Sequence, residues 1–169
     1  MSKKLFSWFM ILLGAMLLFG SIYNTFSAEK MIVVLKGNHE HKALDVKLHH
    51  TQDAHCGMII DSLEYGAQVI APDGRTWFFH DLGGLALFLA GKEYEKTATI
   101  WVYQNDKKIW LNGRKAFYSR VENTPMYYGF AAYEEMQENF VDFETMSKMM
   151  KRGENLTNPA VKRKLLSDK

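Results

Sequence analysis

From Leu5 to Tyr23 the chain carries no charge, and only Ser7, Gly14, Gly20 and Ser21 interrupt its apolar side chains. As a helix this run is roughly 28 Å long, close to the hydrocarbon thickness of a bilayer. So long an apolar run does not fit into the core of a small domain. It therefore sets residues 1–28 apart, and the residues from 29 onward must fold without it. Lys3 and Lys4 precede the run and no acidic residue accompanies it, the pattern of an export signal peptide or an uncleaved membrane anchor. Thr25 and Ser27 supply small residues around a mediocre cleavage site. No cysteine stands near the exit, so a lipid-anchored lipoprotein is not expected. With the positive end held inside, the rest faces outward. The expected location is the periplasm, reached through the N-terminal segment, with retention on the inner membrane as the alternative.

That compartment gives meaning to the one cysteine, Cys56. A single thiol forms no intramolecular disulfide, and an exposed one is open to oxidation unless it is buried, metallated or functional. It stands in His55-Cys56-Gly57-Met58, which places a thiol and a thioether two positions apart. Both are soft ligands that favour Cu(I) over hard cations. If the segment runs extended, the two side chains point to one side, and Gly57 lets the backbone come close. The plainer reading makes Cys56 a small buried apolar residue and Met58 the start of a strand.

Charge narrows the classes further. Beyond the leader, acidic and basic residues balance, and no basic stripe with interleaved aromatics crosses the body, which argues against nucleic acid as a partner. Basic residues gather instead in the tail, 153–169, which reads as weakly structured. The histidines all fall between His39 and His80, five of them in the stretch His39, His41, His49, His50 and His55. Imidazoles suit copper or zinc, although no spacing here matches a four-ligand structural zinc site. A solvated, histidine-rich loop explains the same composition.

The order of elements reads as α+β. Met31–Leu35 predicts a short strand, and Glu64–Ala71 a strand closed by the turn Pro72-Asp73-Gly74 and returned by Arg75–His80. Asp81 is a natural N-cap for a helix over Leu82–Ala90, stopped by Gly91. Strands follow over Thr97–Gln104, Ile109–Leu111 and Lys115–Val121. Met126–Ala132 reads as extended. From Tyr133 to Arg152 the period turns helical, bent near Val141-Asp142, with Met136, Phe140, Phe143, Met146 and Met150 on a packing face.

Three patterns then stand in order: His55-Cys56-Gly57-Met58-Ile59-Ile60; Phe78-Phe79-His80-Asp81-Leu82 opening a Leu/Phe-rich helix; and Ala116-Phe117-Tyr118 followed by Pro125-Met126-Tyr127-Tyr128-Gly129-Phe130. Together they resemble the NosL family, accessory proteins that deliver copper to nitrous-oxide reductase, over roughly Asp53–Met150. The resemblance implies two small related ββαβ-like halves packed together, similar to part of the organomercurial lyases. The implied layout is a signal or anchor at 1–28, a histidine-containing lead-in at 29–52, a copper-binding domain at 53–152 and a basic tail. It implies a periplasmic Cu(I) metallochaperone with no catalytic turnover, whose partners are the copper-transfer proteins of the nitrous-oxide reductase assembly machinery. Cys56 and Met126 are the ligand positions it implies. Met58 and the flanking His55 complete the candidate set. Many members of the family are lipoproteins, a feature this chain lacks.

Other readings remain beside it. An exported scaffold with a buried structural cysteine and delivery to a different copper enzyme are both compatible with the residues. An enzyme would need Cys56 as nucleophile, with His80 or His55 as base and Asp81 as orienter.

Overall fold

The computed structural model describes residues 3–26 and 30–167. It separates into two compact units, Met1–Lys30 and Met31–Lys169. The first holds one helix, α1 (Lys3–Phe26), on which every large apolar side chain described, from Phe6 to Phe19, is exposed. Among the described residues no helix is long and apolar enough to cross a membrane. Leu5, Ile22 and Tyr23, at the ends of the apolar run, fall outside the residues whose side chains are described. Ser27 of the expected cleavage site lies outside the described residues altogether.

The second unit is α+β. One sheet has five strands, β1 (Val34–Leu35), β2 (Ala67–Ile70), β3 (Thr76–Phe79), β4 (Thr99–Gln104) and β5 (Ile109–Asn112), in the order β1-β3-β2-β4-β5, all antiparallel. The turn at Pro72–Gly74 closes the β2–β3 hairpin as expected, pairing Ile70 with Thr76 and Ala67 with Phe79. α2 (Leu82–Leu89) follows β3 directly, with Asp81 accepting the Gly83 N–H as its N-cap. The smaller sheet has two-residue strands β6 (Phe117–Tyr118), β7 (Ala132–Tyr133) and β8 (Val141–Asp142), ordered β7-β6-β8. α3 (Phe143–Lys151) and α4 (Pro159–Leu166) complete the chain.

Alternation in β4 shows where the core lies: Ile100, Val102 and Gln104 are buried, and the residues between them are half-buried. The apolar face meets Leu82, Leu85, Ala86 and Leu89 of α2, and Tyr118, Phe143, Met146 and Met150 from the second sheet and α3 join the same cluster. Fully burying one such side chain is worth about 1.5–3 kcal/mol. β2 is buried on both faces, because the histidine-containing lead-in covers the far side. There the Gln68 amide, fully enclosed, accepts from Leu44 N–H at 2.9 Å and donates to Leu44 C=O at 2.7 Å. The Leu44 backbone thus ties the lead-in to the sheet, while His39 and His49 stay exposed.

Two expectations need correction. The helix predicted over Tyr133–Arg152 is confined to Phe143–Lys151; its first half is the end of β7, an irregular segment over 134–140, and β8. Asp142, which accepts the Thr145 N–H, starts the helix there. Phe143, Met146 and Met150 are buried as predicted, while Met136 is exposed. The tail is not weakly structured either, since Asn158 accepts the Ala160 N–H and Pro159 opens α4.

Candidate metal centre

The Cys56 segment is a turn, not a strand. Asp53 Oδ1 accepts the N–H groups of His55 at 2.7 Å and Cys56 at 3.0 Å, and the Gly57 N–H donates to Asp53 C=O at 2.9 Å. This winding is an Asx turn, in which a short acidic side chain satisfies backbone donors two and three positions ahead. Gly57 then takes φ +78°, the left-handed region that glycine enters without strain, and the chain returns to pair Gln52 with Ile59. The Gly57 expectation changes accordingly: its use is this backbone angle, because a Cβ would meet only Gln52 Nε2 at 3.9 Å. With no extended run, the alternation argument for Cys56 and Met58 lapses. The Met58 N–H donates to Cys56 Sγ at 3.5 Å, and the Met58 side chain is 44% exposed.

The turn docks beside the end of β3, where the Ala54 N–H donates to Phe78 C=O. That contact brings in His80. Asp53 Oδ2 accepts from His80 twice, from its backbone N–H at 2.9 Å and from Nδ1–H at 2.6 Å. Cys56 Sγ lies 3.9 Å from the same nitrogen. Asp53, Cys56 and His80 form the one group of metal-competent side chains among the described residues. Asp53 is 2% exposed and His80 7%, while Cys56 is half-buried, so the thiol is the accessible member. His80 Nε2 is buried without a partner.

Burial raises the Asp53 pKa, but hydrogen bonds from the His80 ring and from the backbone of Cys56, His80 and His55 outweigh it and hold the carboxyl below its ordinary range. The hydrogen bond to Asp53 lifts His80 above its ordinary value against the opposing effect of burial. Both shifts favour the charged pair, an imidazolium against a carboxylate. Burial, together with the Asp53 charge, pushes the Cys56 thiol up despite the Met58 N–H. Without a bound cation the sulfur is therefore a thiol.

The remaining candidates sit around this group. His55 is exposed, its ring resting 3.5 Å from where a Cβ on Gly84 of α2 would stand. Met126 is half-buried, and its backbone N–H is held by Asp81 Oδ2 at 2.9 Å, so the Met126 loop is fixed to the residue next to His80. Tyr128 packs on Gly83 so closely that an added Cβ would fall 2.4 Å from its ring, which is why α2 begins with glycine there. Tyr128 is pushed up by burial and then by the charges of Asp81, Cys56 and Asp53, so the phenol shares their field. Of His39, His41, His49 and His50, none joins a metal-competent group. His41 instead pairs its Nδ1 with Thr99 Oγ1 at 3.1 Å.

Asp53 is the site residue the sequence reading missed, and the enzyme alternative had named Asp81 in its place. Asp53-x-His55-Cys56 does carry a signal, since an aspartate two and three positions before two free N–H groups is the Asx-turn pattern. Chemically, the set offers one soft sulfur and one borderline nitrogen. Bonds of about 2.3 Å to sulfur and 2.0 Å to nitrogen would span the 3.9 Å gap to Nδ1 once the proton it donates to Asp53 had left. Set against models of protein families, curated proteins and solved structures, the chain matches none.

Proposed function

We propose that the protein is a periplasmic Cu(I)-binding metallochaperone that supplies copper for maturation of nitrous-oxide reductase, with Cys56 as its principal ligand. The observation that carries this reading is the Cys56 thiol, half-exposed and 3.9 Å from a histidine whose ring is locked by a buried carboxylate. A thiolate and an imidazole suit Cu(I), and binding at His80 Nδ1 would displace the proton that this nitrogen now donates to Asp53. His80 thereby joins Cys56, Met58, Met126 and His55 in the ligand set we propose. The cargo would displace the thiol proton, so capture is pH-dependent. The half-exposed sulfur leaves a side open for ligand exchange with a receiving protein.

The identity of that receiver rests on the NosL resemblance. The run β2-β3-α2-β4 has the ββαβ order that the resemblance implies, whereas β6-β7-β8-α3 has no strand after its helix among the described residues. Export through the N-terminal segment belongs to the same proposal, supported by Lys3 and Lys4 and by the outward apolar side chains of α1. Turnover is not part of it. His80 Nδ1, the nitrogen within reach of the thiol, already donates to Asp53, so it is no base for Cys56.

Titration of the purified protein with Cu(I) tests the reading. One equivalent per chain should bind through sulfur, and Cys56→Ser should weaken binding by at least about a hundredfold, or 2.7 kcal/mol. X-ray absorption showing only nitrogen and oxygen neighbours, or parental binding in Cys56→Ser, would leave an exported scaffold in its place. Normal copper binding without transfer to nitrous-oxide reductase partners would redirect delivery to another copper enzyme.

A further inference from the structure

Four buried side-chain polar atoms among the described residues have no hydrogen-bond partner, and two of them, Ser119 Oγ and Arg120 Nε, belong to neighbouring residues that line a single cavity of about 490 Å³. Its other walls are largely apolar: Val121, Phe140, Val141 and Leu165 of α4. No lining residue belongs to the Asp53–Cys56–His80 group. Ser119 is 1% exposed, and its backbone N–H is already satisfied by Ala131 C=O at 3.0 Å, so its hydroxyl is the unmet group. Burying a donor unsatisfied is unfavourable, and two such donors on neighbouring residues of the cavity wall are readily explained by something that accepts from both.

Arg120 Nε–H can only donate, and a guanidinium matches a carboxylate better than any neutral acceptor. One negative side chain, Glu138, shares the lining. Against it stand Arg120 itself and the exposed Lys162, Arg163 and Lys164 on α4, the helix that presents Leu165. The volume lies in the range of small-molecule sites. We infer that this cavity binds a small organic acid, its carboxylate accepting from Arg120 Nε and Ser119 Oγ and its apolar body lying against Val121, Phe140, Val141 and Leu165. This inference is independent of the copper reading.

Sodium benzoate is a suitable probe, with methyl benzoate as its uncharged counterpart, measured by saturation-transfer NMR and calorimetry on the full-length chain. Benzoate should bind the parent, and methyl benzoate at least tenfold more weakly. Arg120→Gln and Ser119→Ala should each weaken benzoate by at least about tenfold, the share of one hydrogen bond to a charged acceptor. The reactivity of the Cys56 thiol serves as the check that each variant is folded. Should Arg120→Gln fail that check, Leu165→Glu decides the matter. It places a carboxylate at the cavity from a helix with no buried residue, and it should expel benzoate while leaving the fold intact. No benzoate binding at about 10 mM would mean that water alone satisfies the two atoms, and would overturn the inference. So would equal binding of the ester, or parental affinity in Arg120→Gln or Leu165→Glu.

Discussion

The carboxylate of Asp81 accepts the backbone N–H of Met126 at 2.9 Å, a bond that closes 45 residues of sequence. The same side chain caps α2 through the Gly83 N–H, so one buried group fixes both the helix beside His80 and the loop that carries Met126. Asp81→Ala should lose about 1–3 kcal/mol of stability in urea unfolding, as expected for a lost cap and a buried hydrogen bond. If Met126 contributes to Cu(I) affinity through its position, Asp81→Ala should weaken Cu(I) about as much as Met126→Ala does. The double variant should then be no weaker than either. Fully additive losses would mean that the tether does not position the thioether.

Met58 is the contrasting case. Its backbone touches the thiol while its side chain is largely in solvent. Met58→Ala should cost less than about threefold in Cu(I) affinity, under 0.7 kcal/mol, in a competition titration with a Cu(I) chelator. A tenfold loss would make it a true ligand.

The pair of His80 and Asp53 predicts a pH profile for the metal-free protein. His80 is raised on folding, so its contribution is full below the ordinary imidazole value of about 6.5 and fades as pH rises through the higher folded value. Asp53 is lowered, so its contribution is present above the ordinary 3.8 and fades as pH falls through the lower folded value. The pair is therefore strongest between about pH 4 and 6.5. His80→Gln should destabilise most in that window, by roughly 3 kcal/mol, and less at alkaline pH. Urea unfolding at several pH values with a chelator present measures this, and a pH-independent difference would contradict it.

Methionines elsewhere divide by burial. Met146 has no exposed surface, so Met146→Ala should cost about 2–5 kcal/mol without changing Cu(I) stoichiometry. Met136→Ala should cost less than about 0.5 kcal/mol, since that side chain is exposed in an irregular segment. Thermal unfolding of the two variants side by side checks both.

These residues show what the sequence makes legible. Pro72-Asp73-Gly74 and the Asp81 cap are local signals, each decided within a few residues, and both elements stand where they were expected. Phe143, Met146 and Met150 share a helical spacing and are buried together. Met136 and Phe140 fit the same spacing, but strand pairing of Phe117 with Tyr133 and Asp142 claims the residues around them. Propensity over a window does not see a partner strand. At the candidate metal centre Cys56 was evident from its uniqueness. Asp53 and His80 were harder, because their meeting depends on how the turn at residues 54–56 docks on β3. The lead-in was half legible: its histidines suggested solvent, where His39 and His49 stand, but nothing local announced that its backbone satisfies the buried Gln68.

The two tethers that build the centre, Asp53 to His80 across 27 residues and Asp81 to Met126 across 45, have a consequence for the life of the chain. Neither closes until distant segments meet, and each closure carries its own entropic cost. On the copper reading, an unfolded chain would offer an ion only the local His55-Cys56-Gly57-Met58 segment, and His80 and Met126 would join it only on folding. Cargo that binds the closed form alone then adds about 2.7 kcal/mol at a hundred times its dissociation constant. On the copper reading, the loaded chaperone is also the longer-lived one, and molecules that have handed on their ion are the first that a periplasmic protease can open.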